Sequence, residues 1–319
     1  MQLIRNLQEI EHPFVRPVLT IGNFDGVHEG HRVLFQRVCE RARELDGQSV
    51  VMTFEPHPIK VMKPGNGPPL ITLTDQKLEL IAAAEIDVIL CLPFTKEFAA
   101  ISARDFVQDI LVRRIGVREI VVGYDYSFGA GREGNIALLR NMGAELGFEV
   151  QVLGPITIDD VPVSSTSIRN LVQEGDLPAA RRLLGRDYQI CGTVVHGKGR
   201  GAGLLGFPTA NLNPVDELVP KEGVYAVLVH VDDQTYQGLT NIGKNPTFGN
   251  DALSIETHLL DFSGDLVGRS IRIDFLERLR DEKAFKGIQE LADQIGRDIE
   301  QARGIFGTEQ RRDRVGSGL

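Results

Sequence analysis

The chain changes pattern along its length. Up to about residue 154, short apolar runs alternate with segments of helical period; from about residue 188 onward it reads mostly as strand. "VLTIG" (18–22), "SVVMTF" (49–54), "VILCLPF" (88–94), "EIVVG" (119–123) and "FEVQVLG" (148–154) have the length and apolar content of buried strands. Between them, residues 29–45 place Val33, Leu34, Val38 and Leu45 at helical spacing. "TDQKLELIAAA" (74–84) predicts a helix with Thr74 as its N-cap. "SARD" (102–105) has the capping-box pattern, with Asp in the Glu role, for a helix to about Arg114. Residues 135–146 predict another, stopped by Gly147. Such alternation builds a parallel sheet covered on both faces, with ligands bound beyond the C-terminal strand ends. "GNFDGVHEGH" (22–31), "EPHP" (55–58) and "GYDYSFGAGR" (123–132) all follow strands, so three loops are expected to share one crevice.

The second half follows different rules. "SIRNLVQEG" and "LPAARRLLG" are short helical pieces, each ended by glycine. Strands are then expected at "YQICGTVV" (188–195), "GVYAVLVHV" (223–231), "TYQGLTNIG" (235–243), "SIETHLL" (254–260) and "SIRIDFL" (270–276). Alternation sets Ile255, Thr257 and Leu259 on one face and Glu256 and His258 on the other. Short strands joined by turns suggest an antiparallel barrel. A helix is expected over 287–303, then a loose tail. The expected domains are therefore 1–185 and 186–306, with 307–319 as a flexible tail.

Composition narrows the function. A length of 319 residues suits two domains, and no apolar run reaches membrane-spanning length. The start, "MQLIRNLQEIEHPF", lacks the apolar core of a signal peptide, so the expected location is the cytoplasm. Cys39, Cys91 and Cys191 are far apart, with no CxxC or His/Cys cluster, and are expected to be reduced, buried thiols. A formal net charge of −9 is a poor footprint for a nucleic-acid binder. An anionic ligand would have to be held by local donors against that field.

Four motifs could supply chemistry. His28 and His31 stand where a glycine turn becomes a helix, and the backbone N–H groups and dipole there favour an anion. Gly22, Gly26 and Gly30 would let the backbone approach a phosphate. Phosphate handling, metal binding and plain surface polarity all stay open for the pair. "SSTSIRNL" (164–171) is either a simple helix cap or a second anion cradle with Arg169 one turn in. "GKGRGAGLLGFPTAN" (197–211) contains a formal GxGxxG, but Pro208 follows and no helix opens, so the dinucleotide-binding context fails. The segment is either a turn or a glycine-rich flap over phosphates, with Lys198 or Arg200 nearby. Thr209 and Asn211 are two neutral oxygen side chains that could share a Mg²⁺ with ATP. Glu256, mid-strand, is either a solvated face residue or a base for a substrate hydroxyl.

These motifs, in this order, resemble one family: the bacterial bifunctional riboflavin kinase/FAD synthetases. The resemblance runs over about residues 15–305. It is carried by "TIGNFDGVHEGH", "TFEPHP", "VVGYDYSFGAGREG", "SSTSIR", "GTVVHGKGRGAGLLGFPTAN", "GVYAV", "NIGKNPTFG", "IETHLLDF" and "LRDEKAF". It implies a Rossmann-like α/β nucleotidylyltransferase domain, then a six-stranded antiparallel flavokinase barrel with a C-terminal helix. The barrel would make FMN from riboflavin and ATP; the first domain would join FMN to the AMP part of ATP, giving FAD and pyrophosphate. Both would need Mg²⁺, and no tightly bound prosthetic group is implied.

Carried over by motif, His28, His31 and Arg169 would act on the ATP phosphates, and Glu256 would be the kinase base. Gly22, Asn23, Phe24, Asp25, Gly26, Asp125, Ser164 and Thr166 would bind nucleotide in the first domain. Lys198, Gly199, Gly201, Pro208, Thr209 and Asn211 would do so in the second, Thr209 and Asn211 also holding the metal. The implied partners are riboflavin, FMN, FAD and ATP, with no nucleic acid and no membrane; no oligomeric state is implied. A chain with only one live module is an alternative; a non-catalytic flavin-binding regulator on the same fold would be expected to lack Glu256, Asn211 or the histidines, and all are present. Glu29, an acid inside the histidine motif, departs from the commoner family pattern and is expected to face solvent.

Overall fold

The computed structural model describes residues 1–196, 209–212, 217–244 and 253–316. The chain divides into two compact units, Met1–Ser165 and Thr166–Leu319.

The first unit begins with β1 (Gln2–Ile4), β2 (Val18–Ile21), α1 (Glu29–Glu44), β3 (Ser49–Glu55), α2 (Pro58–Met62), α3 (Thr74–Ala82) and β4 (Val88–Pro93). It goes on through α4 (Lys96–Ala99) and α5 (Ala103–Asp105), which leads into a π-helix over Phe106–Ile115, to β5 (Glu119–Gly123). A small hairpin, β6 (Ser127–Phe128) and β7 (Gly134–Asn135), precedes α6 (Ile136–Leu146) and β8 (Glu149–Leu153); a second, β9 (Thr157–Ile158) and β10 (Val161–Pro162), closes the unit. Six strands make one parallel sheet in the order β1-β4-β3-β2-β5-β8.

Period-two alternation sorts the strand residues between the two faces. Leu19, Ile21, Val50, Met52, Leu90 and Val122 join the π-helix and α6 residues Phe106, Leu111, Leu139 and Met142. Val51, Ile89 and Cys91 face Phe35 and Cys39 of α1 and Leu78 and Ile81 of α3. The strand order reverses at β2, with β3 on one side and β5 on the other, which opens a crevice at their C-terminal ends. The three loops expected to share a crevice therefore leave adjacent strands β3, β2 and β5.

Local signals were uneven guides. Ser102 caps α5 as its box predicts, its Oγ accepting from Asp105 N at 3.1 Å, and Gly147 ends α6 at φ 85°. Thr74 does not cap α3: the N-cap is Leu73, and the Thr74 hydroxyl donates to the Glu55 carboxylate. Thr74 is already the first helical residue, and its hydroxyl is turned to a carboxylate at the end of β3. β1, three residues at a sheet edge, is too short to show a period.

The second unit opens with α7 (Ser165–Glu174), which starts at the division, and α8 (Leu177–Leu184). Gly175 (φ 84°) and Gly185 (φ 68°) follow the two helices in the left-handed region that glycine tolerates. α8 buries Leu177, Ala180, Leu183 and Leu184 and packs on two barrel strands, which is why it groups with the barrel rather than ahead of residue 186. Those strands are β11 (Tyr188–Val195) and β16 (Ser270–Arg280).

With β12 (Thr209–Leu212), β13 (Gly223–Val231), β14 (Gln234–Lys244) and β15 (Leu253–Leu259) they close an antiparallel barrel in the order β11-β12-β15-β14-β13-β16. Its interior holds Tyr188, Tyr225 and Phe275, all fully buried, with the Thr240 and Thr257 hydroxyls bonded at 2.8 Å. α9 (Ile288–Gly316) lays Ala302 and Phe306 on the outer face against Ala226, Leu239 and Leu276. Arg280 grips Asp298 of α9 with two nitrogens, at 3.0 Å and 2.7 Å. The residues expected to form a loose tail continue α9 as far as Gly316, because "TEQRRDR" consists mostly of residues that a helix accommodates. Among the described residues no helix is long and apolar enough to cross a membrane.

Candidate active sites

In the first unit the loop after β2 is folded by its own side chains. Phe24 and Val27 adopt positive φ (50° and 40°) and are buried. A Cβ on Gly22 would stand 2.8 Å from the Phe24 ring, so glycine there lets the ring fold back. Phe24 then meets His31 edge-on, with centroids 5.1 Å apart. His28 is the N-cap of α1; its Nδ1 accepts from His31 N at 3.3 Å. With Nδ1 accepting, the neutral ring carries its proton on Nε2, which makes Nε2 a donor. The two imidazoles stack at 3.5 Å and 16°. Both rings thus stand at the positive end of a 16-residue helix. Among the described residues no group of three or more His, Cys, Asp and Glu could hold a metal ion.

Other residues of the loop support it. Asp25 is buried; its carboxylate accepts from Ile71 N at 3.0 Å and Thr72 N at 3.1 Å, so it faces into the protein. Gly26 N donates to Thr72 Oγ1 at 3.0 Å, and Ser165 Oγ donates to the Asp25 carbonyl at 2.9 Å. Ser164 is half-buried beside that tie. Asn23 is exposed, and Asp125, on the loop after β5, is exposed too. Glu29 pairs with Arg32 at 3.2 Å, its side chain 30% accessible, which turns the acid along the helix rather than leaving it fully in solvent. Thr166 is exposed and Arg169 half-buried on α7, in the second unit.

The second unit sets Asn211, Glu256 and Asn241 in one row, as direct register partners across β12, β15 and β14. Their neighbours Ala210, Leu212, Ile255, Thr257 and Ile242 are buried, so the row faces out of the barrel. Thr209 shares the Asn211 face, opposite His258. Asn241 Nδ2 donates to Glu282 Oε1 at 3.2 Å, and a Cβ on Gly243 would fall on the Glu282 carboxylate. Burial first, and the Glu282 charge second, push the Glu256 carboxyl above its ordinary value. A cleft of about 500 Å³ lies beside Glu282, lined also by Pro220, Lys221, Glu222, Leu253 and Asp281. Lys198, Gly199, Gly201 and Pro208 lie outside the described residues.

Neither Asn241 nor Glu282 stands out in the sequence. They lie in "NIGKNPTFG" and "LRDEKAF", but only strand register shows that Asn241 stands opposite Glu256.

The FAD synthetase family model matches residues 12–167, and the riboflavin kinase family model matches residues 184–306. The two units are thus transferase domains of the ATP-using kind, one for nucleotidyl and one for phosphoryl transfer. A bifunctional riboflavin kinase/FMN adenylyltransferase of Escherichia coli (strain K12) is 39% identical over 309 residues, covering 96% of this chain and 98% of its own. One from Pseudomonas fluorescens is 40% identical over 307 residues, with the same coverage. The chain belongs to the bifunctional riboflavin kinase/FMN adenylyltransferases. A solved structure described as a macrolide-efflux protein from Streptococcus pneumoniae is similar at TM-score 0.84 and 31% identity, over 94% of this chain and 98% of that one.

Proposed function

We propose that His28 and His31 are the donors that hold ATP phosphates during adenylyl transfer to FMN, and that Glu256 is the base that deprotonates riboflavin in the kinase. The observation that carries the second role is the outward row Asn211–Glu256–Asn241, with Glu256 held above its ordinary pKa. The kinase nucleophile is a neutral hydroxyl, which gains from a base near the working pH. The adenylyl-transfer nucleophile is a phosphate, already anionic at neutral pH. It needs alignment and charge neutralisation, which suits imidazole donors at a helix N-terminus and no carboxylate base.

Thr209 and Asn211 share one face of β12, and their neutral oxygens suit a small hard cation whose remaining ligands are waters and ATP oxygens. Mg²⁺ held there would neutralise charge on the phosphates. Asn211 and Asn241 flank Glu256 and would orient its carboxylate toward the substrate hydroxyl. Arg169, Asp125, Ser164 and Thr166 complete the adenylyl-transfer set in this reading, and Lys198 with its glycines the kinase set. Three free thiols, Cys39, Cys91 and Cys191, suit a reducing cytoplasm.

The test is incubation with riboflavin, ATP and Mg²⁺, followed by chromatographic separation of the flavins. FMN and FAD are the expected products; a folded protein that makes neither overturns the proposal. The histidine geometry adds a finer expectation. A Cβ at Gly30 would stand 3.2 Å from the His28 ring. Gly30→Ala is therefore expected to slow FAD formation from supplied FMN by about ten-fold through displacement of that ring. FMN formation by the same protein should not change.

A further inference from the structure

Behind the histidine loop lies a second support that the roles above do not use. Lys77 sits in the apolar stripe of α3, one residue before Leu78 and four before Ile81, and is 4% exposed. Its Nζ donates to Phe54 O at 3.1 Å and reaches Asn23 O at 3.4 Å. Asn23 begins the histidine loop, and Phe54 is the penultimate residue of β3, where the "EPHP" segment begins. Thr53 Oγ1 donates to the same Asn23 carbonyl at 3.2 Å. Six residues before Lys77, Ile71 N begins the contacts that hold Asp25, and Thr72 holds both Asp25 and Gly26. A single short segment, 71–77, thus braces two site loops.

The chemistry of strand ends explains why a cation belongs there. Parallel strands present carbonyl oxygens at their C-terminal ends, and an anion arriving beside bare carbonyls meets partial negative charge. An ammonium beneath them satisfies the acceptors and reverses the sign. Burying a lysine is costly unless its proton donors are used, so the position is not a casual one. We infer that Lys77 is a positioning residue for adenylyl transfer: its buried ammonium ties the Asn23 and Phe54 carbonyls and thereby fixes where the His28 and His31 donors stand.

Burial pushes the Lys77 ammonium below its ordinary value, and the titratable groups around it, Cys91 of β4, Glu55 of β3 and Asp25 of the loop, pull it back up. Loss of this proton at alkaline pH would remove the tie. Arginine in its place stays charged throughout.

The inference rests on the division of labour proposed above, and both reactions of the full chain serve as the assay. In Lys77→Met, FAD formation from supplied FMN and ATP is expected to fall about ten-fold or more, in kcat rather than KM, because the donors act in the transition state. FMN formation from riboflavin should stay within about two-fold of its starting rate, the kinase set being separate. Lys77→Arg is expected to restore part of the rate and to move the alkaline fall of FAD formation to higher pH.

An equal loss of both reactions in Lys77→Met overturns the inference, as does FAD formation at an undiminished rate. An alkaline fall that stays in place in Lys77→Arg also overturns it. If Lys77→Met does not fold, Lys77→Arg decides through its pH profile: an alkaline fall of FAD formation moved to higher pH supports the inference, and one left in place overturns it. Unsubstituted protein that makes FMN but no FAD overturns the underlying division of labour and the inference with it. Unsubstituted protein that makes FAD, with Lys77→Met unaffected, overturns the inference alone.

Discussion

Glu256→Gln is expected to stop FMN formation and to leave FAD formation from supplied FMN intact. Removal of a general base costs about 10²- to 10⁴-fold in rate, and glutamine keeps the shape while losing the proton acceptor. Chromatography of flavins from the two half-reactions reads both numbers on one protein. Equal loss in both would refute the separation of roles.

The pH dependence gives a sharper form of the same expectation. Glu256 acts as a base only when ionised, so FMN formation should rise with pH through its pKa. Burial and the Glu282 charge hold that pKa above 4.5. Glu282→Gln removes one of the two causes, so the acid limb of kcat should move to lower pH. The stability sign is opposite. A carboxyl whose folded pKa is raised favours the folded state below its unfolded value, and that contribution is lost as pH rises through the folded value. Glu256→Gln should therefore raise the melting temperature at neutral pH and leave it unchanged well below 4.5. Lost kinase activity in a protein that melts higher cannot be blamed on misfolding.

His28→Ala combined with His31→Ala is expected to do the reverse. FAD formation from FMN and ATP should fall by about 10³-fold or more, since each lost donor to a developing anion costs about 10²- to 10³-fold. FMN formation from riboflavin should continue. The single variants are not expected to add up, because the rings stack at 3.5 Å and His28 Nδ1 holds the His31 backbone N–H. His28→Ala should disturb His31 as well, since it removes the cap that seats the first turn of α1. Persistent FAD formation in the double variant would return the histidines to surface polarity.

The features legible in the sequence were those set by local periodicity. The main-sheet strands β2, β3, β4, β5 and β8 and helices α1 and α6 follow from apolar spacing and glycine stops, and Glu256 falls on the face that alternation assigns it. What escaped depends on contacts distant in sequence. β12 is four residues long, and its "TAN" reads as a ligand motif because nothing local reveals that it pairs with β15. Asn241 is placed opposite Glu256 only by register. Lys77 looks like an ordinary surface lysine until the helix stripe places it beside Leu78, where one clue was available: a charge at a core position. Asp25, aimed at nucleotide by its motif, turns inward because the N–H groups of Ile71 and Thr72, 46 and 47 residues on, offer it partners.

The placement of α8 bears on how the two activities can be taken apart genetically. The riboflavin kinase family model begins at residue 184, which invites a cut there. A barrel expressed from Arg186 would lose α8 and leave bare the strip that Leu177, Ala180, Leu183 and Leu184 cover on β11 and β16. Each buried leucine removed with α8 forfeits about 1.5–3 kcal/mol of burial, a large share of what holds a small domain together. Such a fragment would be prone to aggregate, and its inactivity would be mistaken for dependence on the missing half. The compact unit that holds the barrel begins at Thr166, so a kinase expressed alone is expected to fold better when it starts there and keeps α8.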